Sequence, residues 1–230
     1  MKIVETIAEV REQVKQWKKE GLTVALVPTM GYLHEGHRSL MERARKENDR
    51  VVVSVFVNPT QFGPNEDLAS YPRDLEHDAA LVPIPSGVRV WIFPKPLHRR
   101  QMYPKGFCSF VDMDVLTKEL CGLSRPVHFR GVCTVVSKLF HIVTPDRAYF
   151  GEKDAQQLAV IKRMVLDLNL DIEIVGCPLS VRQMVLPRVP EIPTSVRRNA
   201  RLRWYSAGAS LPERSWRSPA KRMRTSWCRR

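Results

Sequence analysis

Up to Pro178 the chain alternates between two hydrophobic rhythms. Ile7, Val10, Val14 and Trp17 recur every three or four positions, the stripe of an amphipathic helix. Thr6 and Glu9 stand at capping-box spacing before it, and Gly21 is suited to end it. Met1 to Glu5 reads as a lead straight into this helix. Residues 23–27 are short, apolar and β-branched, which predicts a strand, and 38–47 return to helical spacing with Leu40, Met41 and Ala44 on one side. Residues 50–57 form a continuous apolar run, the pattern of a parallel strand buried on both faces. A helix at 74–81 and a strand at 88–93 follow, in surroundings made loop-rich by Pro83, Pro85, Pro94, Pro96 and Pro104. Residues 131–143 are helical by spacing, 147–150 form a strand, and a helix from about 155 turns Leu158, Ile161, Val165 and Leu168 inward. A last strand spans 171–176. Strands alternating with helices predict an α/β fold with a doubly wound parallel sheet. There is no internal repeat.

The rhythm stops there. Residues 179–230 show neither period, contain no Asp, and hold three of the five tryptophans. They also hold 13 of the 37 basic residues against only Glu191 and Glu213, a balance of +11 out of the total +13. The preceding 178 residues are therefore near neutral, and the charge does not describe a nucleic-acid-binding fold, in which basic residues would be interleaved with the core. The expected division is a Rossmann-like nucleotide-binding and catalytic domain at 1–178 and a basic, irregular, disordered tail at 179–230 in place of a second small domain.

The densest chemistry lies between the first strand and its helix, in P-T-M-G-Y-L-H-E-G-H from Pro28 to His37. A strand-to-helix turn offers backbone N–H groups and the positive end of a helix to phosphate. Gly31 and Gly36 permit close approach of a ligand. Two imidazoles, His34 and His37, stand ready to donate hydrogen bonds to charge developing at a phosphorus atom. As a metal pair they lack the helical position and third ligand of a zinc site.

Gly151-Glu-Lys-Asp154 also follows a strand and precedes a helix, so it opens on the same sheet edge. Lys153 suits nucleotide phosphates. Asp154 suits either the helix cap or a ribose or base, and the plain alternative is a solvated turn. Gln61 and Gln157 are neutral amides able to hold a carboxylate or hydroxyl, or ordinary surface glutamines. Arg125 and Arg130 are candidate anion binders or ordinary surface arginines. Tyr71-Pro-Arg73 fits either the cleft or packing. His128 and His141 read as structural.

Several blocks together resemble one family. Besides the first signature they are V-S-V-F-V-N-P-T-Q-F-G, Y-P-R-D-L-E-H-D, R-P-V-H-F-R-G-V and F-G-E-K-D-A-Q-Q-L. They are similar to those of the pantoate–β-alanine ligases (pantothenate synthetases), members of the nucleotidyltransferase superfamily that carries H-x-G-H. The resemblance implies an enzyme that uses ATP and Mg2+ to form pantoyl adenylate with release of pyrophosphate. β-Alanine then takes the acyl group and AMP leaves. It implies ATP contacts at Met30, Gly31, Tyr32, Leu33, His34, Glu35, Gly36 and His37, and at Gly151, Glu152, Lys153 and Asp154. His37 matches the residue such families name as proton donor, and His34 and Lys153 complete the catalytic set. Gln61 and Gln157 would hold pantoate, with Gln61 also near β-alanine and Asn58 and Arg125 as lesser candidates. The resemblance further implies a homodimer. No protein metal site, nucleic acid or membrane is expected.

After Pro178 the family pattern, approximately T-V-R-x-x-D-G-L-A-x-S-S-R-N-x-Y-L-S-P-E-E-R, is missing. The genetic code returns it. When the third base of each codon is joined to the first two of the next, Gln183-Met184-Val185 yields only Asp or Asn followed by Gly. Permitted synonymous codons from Pro178 to Ala200 then spell T-V-R-A-P-D-G-L-A-T-S-S-R-N-T-Y-L-S-P-E-E-R, about twenty positions in register. A single-base change at the Pro178 codon accounts for this, and for the Arg-rich, Asp-free composition downstream. Impaired activity follows as an expectation.

Five cysteines with irregular spacing and no C-x-x-C predict free thiols in a reducing cytoplasm, and no signal peptide or membrane-length apolar run is read. Two other functions compete: a different H-x-G-H nucleotidyltransferase, and a nucleic-acid-binding protein using the basic tail.

Overall fold

A computed structural model describes residues 2–64, 66, 68–82, 88–92 and 100–178. The tail expected at 179–230 and most of the proline-rich stretch before Met102 lie outside them. All described residues belong to the first of two units into which the chain divides, Met1–Val185.

Six strands form one sheet: β1 (Lys2–Val4), β2 (Val24–Thr29), β3 (Arg50–Val55), β4 (Val88–Ile92), β5 (Arg147–Gly151) and β6 (Glu173–Cys177). Their order is β1-β4-β3-β2-β5-β6, and every pairing is parallel. The helices are α1 (Ile7–Lys19), α2 (Glu35–Glu47), α3 (Leu75–Leu81), the short α4 (Cys121–Ser124), α5 (His128–Val143) and α6 (Ala155–Asp167).

Alternation along the strands divides the core into two layers. Val24 and Leu26 face the layer of Val10, Val14 and Trp17 from α1, Phe129 to Val143 from α5, and Leu158 to Met164 from α6. Ala25 and Val27 face Leu40, Met41 and Ala44 of α2, with Leu75 and Leu81 of α3 beside them. β2 and β3 are buried on both faces, which is why their sequences are apolar without a polar alternate. The fold is the α/β, doubly wound arrangement that the two rhythms predict.

The topology places the site. From β2 the chain winds outward to β3 and β4, then returns to lay β5 on the other side of β2, with Ala25 level with Arg147 and Leu26 with Ala148. The direction of winding reverses between β2 and β5, and a crevice opens beyond their carboxyl ends. β2 ends at Thr29 and β5 at Gly151, so the histidine signature and the Gly151–Asp154 segment become neighbours.

Most strand ends shift by one or two residues from the sequence reading, and three differences are larger. Residues Lys2–Val4 are an edge strand on β4 rather than a lead into α1. α2 starts at Glu35, three residues before the expected start, because His34 caps it. α5 starts at His128, one turn earlier than its apolar stripe.

Candidate active site

The signature turn is built by internal hydrogen bonds. Thr29 Oγ1 donates to the Ser54 carbonyl at 2.7 Å and accepts the Gly31 N–H at 3.2 Å. Gly31 has φ +87°, and a Cβ there would lie 2.9 Å from Val55 Cγ1 and 3.0 Å from Asp78 Oδ2. Conformation and space both demand glycine. The buried carboxylate of Asp78 accepts the N–H of Tyr32 at 3.1 Å and of Leu33 at 2.6 Å. The neighbouring His77 bonds the Leu33 carbonyl at 2.9 Å and stacks on Tyr32 with ring centroids 5.6 Å apart.

The two signature histidines then cap α2 reciprocally. His34 Nδ1 accepts the Gly36 N–H at 3.0 Å, while His37 Nδ1 accepts the His34 N–H at 3.3 Å. Their ring centroids are 4.1 Å apart. This is the geometry of a capping box, with imidazole in place of the usual hydroxyl and carboxylate. One sequence expectation is thereby corrected. The amides of Gly31, Tyr32, Leu33, His34 and Gly36 already have acceptors inside the protein, so these backbone groups are not free donors for phosphate.

The two histidines share one cavity of about 210 Å³ with the predicted residues opposite them. Met30, His34, Gly36 and His37 line it from the first segment, and Gly151, Lys153 and Asp154 from the second. Asn58, Gln61 and Gln157 line it too, over an apolar wall of Phe56, Val132, Val135, Val136 and Leu139. Gly31, Tyr32, Leu33, Glu35, Glu152 and Arg125 are not among the lining residues. Gly31 and Leu33 support the turn from within. Tyr32 is half exposed, and Glu35 is paired with Arg38 at 3.7 Å.

Burial, then the neighbouring His34 and Lys153, pulls the His37 pKa down to about 4. The more exposed His34 is lowered by burial and by Lys153, with Glu35 opposing. At neutral pH both rings are uncharged, and the fixed positive charge beside them is Lys153. Asp154 occupies the N-cap position of α6, yet its side chain makes no capping hydrogen bond. Of the two roles read for it, the cap is not realised, and the residue lines the cavity instead.

The Asn58–Gln61 turn is held tightly. Asn58 is buried; its Nδ2 donates to Gln61 Oε1 and to the Gly131 carbonyl, both at 3.0 Å. Its Oδ1 accepts the hydroxyls of Tyr103 at 2.7 Å and Thr60 at 2.9 Å. Gln61 Nε2 lies 2.8 Å from Met30 Sδ, tying this turn to the signature. Gly131 lets α5 approach: a Cβ there would meet the Thr60 carbonyl oxygen at 2.4 Å.

Arg125 is spent on structure. Its guanidinium grips both carboxylate oxygens of Glu66, at 2.5 and 2.8 Å, and holds that carboxyl down at about 2. His128 bonds the Gln61 carbonyl at 3.2 Å, and His141 the Ser137 carbonyl at 2.7 Å. Arg130 lies over the Phe110 ring at 4.0 Å. Tyr71 packs edge-on against Phe62, and Arg73 donates to the carbonyls of Leu68, Ala69 and Tyr71.

Sequence reasoning missed Asp78 and Gln156. Gln156 accepts the Cys121 N–H at 3.0 Å and donates to the carbonyls of Glu119 at 2.6 Å and Leu116 at 3.0 Å, anchoring that loop beside Gln157. Both lie inside blocks quoted above, Y-P-R-D-L-E-H-D and F-G-E-K-D-A-Q-Q-L, but the letters do not give their roles, since both act on partners distant along the chain. Among the described residues no group of three or more His, Cys, Asp and Glu is placed to hold a metal ion, and no helix is long and apolar enough to cross a membrane. Cys108 and Cys121 are exposed free thiols; Cys133 and Cys177 are buried ones.

Known proteins resemble this chain in sequence and in fold. The sequence model of the pantoate-beta-alanine ligase family matches residues 2–186. The chain is 66% identical over 179 residues to the pantothenate synthetase of Ruminiclostridium cellulolyticum, covering 78% of this chain and 62% of that one. The same shares hold at 64% identity for the enzyme of Enterococcus faecalis. Among solved structures, pantothenate synthetase from Thermus thermophilus superposes with a TM-score of 0.69 at 49% identity, over 78% of this chain and 62% of that one. The pantoate-beta-alanine ligase from Francisella tularensis, complexed with beta-gamma ATP and beta-alanine, also gives 0.69, at 37% identity over 78% of this chain and 67% of that one. The chain thus spans 62% of the length of its curated relatives. A family match from residue 2 to 186 takes in every strand described above, and the chain belongs to the pantoate-beta-alanine ligase family.

Proposed function

We propose that the domain at 1–178 activates pantoate with ATP and passes the acyl group to β-alanine, giving pantothenate. In the first step a pantoate carboxylate oxygen attacks the α-phosphorus, the bond to the bridging oxygen breaks, and pyrophosphate leaves. In the second the β-alanine nitrogen attacks the acyl carbon of pantoyl adenylate, the amine loses a proton, and AMP departs. The observation that carries this reading is one cavity shared by His34, His37 and Lys153 with Gln61 and Gln157 at the reversal between β2 and β5. The ligase from Francisella tularensis, crystallised with an ATP analogue and β-alanine, supports the choice of co-substrates.

Each residue has a chemical task. His34, His37 and Lys153 stabilise negative charge on the phosphates without moving. Gln61 and Gln157 hold the hydroxyl and carboxylate oxygens of pantoate, while Val132, Val135 and Val136 accept its methyl groups. Mg2+ is commonly held by one or two carboxylates plus substrate phosphates, and Asp154 is the carboxylate in the lining that fits it. When bound there, the ion would neutralise phosphate charge. Cys108 and Cys121, exposed and unpaired with each other, suit a reducing cytoplasm. A homodimer is supported by the exposed apolar residues Val115, Leu120 and Leu123, exposed by 71, 74 and 70%.

Residues 179–230 read as an out-of-frame stretch that replaces a phosphate-binding segment and a closing domain, so turnover is impaired. The test restores one base at the Pro178 codon and measures AMP formation that requires both pantoate and β-alanine. The restored protein should turn over at least about 10²-fold faster than the present chain. A restored, folded protein that forms no pantoyl adenylate refutes the assignment. Release of pyrophosphate with another acid in place of pantoate would move it to a different nucleotidyltransferase.

A further inference from the structure

The reciprocal cap fixes more than the helix start. A backbone N–H can only donate, so a ring nitrogen that receives one must present its lone pair. Gly36 donates to His34 Nδ1 at 3.0 Å and His34 donates to His37 Nδ1 at 3.3 Å, so neither Nδ1 carries a proton. A flipped ring would set a C–H against the same amide and leave the amide unsatisfied. Nδ1 stands three bonds from Cα, as far as the Oδ1 of a capping Asn, and Nε2 is too far around the ring to take its place. In each neutral imidazole the proton therefore resides on Nε2.

Charging either ring would put a second N–H on Nδ1, facing the amide that now donates to it. Donor would meet donor, and the cap would be lost. The surroundings act in the same direction. The charged groups that face the pair are Lys153 and Asp154 from the turn after β5, and Glu35 on α2 itself. The parts of β2 and α5 that line the cavity with them, Pro28, Thr29, Val132 and Val135, carry no charge. Burial and Lys153 lower both rings, and His37 reaches about 4.

We propose that His37 works as a neutral hydrogen-bond donor through Nε2–H, held in that tautomer by the His34 amide, and not as an acid that surrenders a proton. The bond it makes rests on the function proposed above; the tautomer does not. The chemistry needs no acid here. Pyrophosphate leaves as a stabilised anion, and a fixed donor stabilises its charge without a proton crossing.

The capping-box rule supplies the discriminating variant. Gln at the third helical position accepts the cap amide as His37 does, keeps an N–H donor, and has no proton to give. The full chain, labelled with 15N at its six histidines, is first studied by long-range proton–nitrogen correlation without ligand. His34→Asn, which retains a cap, and His37→Gln assign the signals. Both rings should show the Nε2–H tautomer at about pH 8 to about pH 7, and His37 should keep it down to about pH 5, charging only near 4. An Nδ1–H tautomer, or a His37 titration within about one unit of its ordinary 6.5, overturns the proposal. The second measurement is pyrophosphate affinity of the same chain at about pH 7. His37→Ala should bind about 10- to 100-fold more weakly, with His37→Gln within about threefold of the original. If Gln is as poor as Ala, the neutral-donor role is wrong. If both the unsubstituted chain and its frame-restored form fail to bind pyrophosphate, the site assignment falls, while the tautomer stands or falls on the ligand-free spectrum.

Discussion

Asp78 Oδ1 accepts the backbone N–H of Leu33 at 2.6 Å, and through that bond α3 fixes the shape of the histidine turn. Its other oxygen takes the N–H of Tyr32 at 3.1 Å, a residue held at φ +50°. A two-oxygen acceptor fits two converging amides, whereas Asn would present an NH2 to one of them. Asp78→Asn should therefore cost about 1–3 kcal/mol, read from urea denaturation, and weaken pyrophosphate binding as the turn relaxes. Unchanged stability would show that α3 does not hold the turn.

Stability should also depend on pH through His37. In the unfolded chain this ring takes up a proton near 6.5, and in the folded protein only near 4. The unfolded state thus binds more protons between those values, and stability is complete above 6.5 and declines as pH falls to 4. The loss attributable to this residue is on the order of 3 kcal/mol. His37→Gln should flatten that part of the curve, measured by denaturant midpoints at several pH values. Glu66, held at about 2 by Arg125, loses its contribution only below the ordinary carboxylate value of 4.5, so most of its effect falls beneath the His37 window. An unchanged slope in the variant would contradict the buried, neutral ring.

At Gly131 the expected effect is steric. A methyl group there would sit 2.4 Å from the Thr60 carbonyl oxygen and 2.5 Å from Gln61 Cα, both backbone atoms with no freedom to swing aside. Gly131→Ala should lower stability by about 3 kcal/mol or more and displace Gln61. A thermal unfolding curve matching the original protein would mean that α5 and the turn are less closely joined than described.

Lys153 is the exposed cation of the cavity, and its removal tests the electrostatics directly. Lys153→Met should reduce pyrophosphate affinity about tenfold or more and make the remaining binding less sensitive to salt. The His34 pKa should rise at the same time, since Lys153 now lowers it. Calorimetric titration at low and high salt, with proton NMR of the ring, checks both.

What the sequence made legible follows how local each cause is. α1 was readable from Thr6, Glu9 and a four-residue stripe, and β2 and β3 from unbroken apolar runs. β1 was not, because Lys2–Val4 becomes a strand only by pairing with Val88–Ile92. The start of α2 was placed late because an imidazole seldom serves as a cap, and nothing in the letters announced that two would cap each other. His34, His37, Lys153, Gln61 and Gln157 were found from motifs at strand ends, where the topology of a parallel sheet does the gathering. Arg125 reads as an anion binder or a surface arginine, and the letters do not show that it meets Glu66 of the same chain, 59 residues away. Asp78 was invisible for the same reason: its meaning lies in which amides it meets.

β6 closes the sheet at Cys177, and on the frameshift proposed above the reading frame departs at the codon of the very next residue. Every described strand and both apolar layers are thus specified before the change. A frameshift within a domain usually strands a half-made interior, which cellular proteases recognise. Here the core formed by the described residues would be complete before the change. If the frameshift is present in a cell, quality control that senses exposed core would have little to act on in this domain, and the expected outcome is accumulation of an impaired protein, checked by immunoblot against the frame-restored gene.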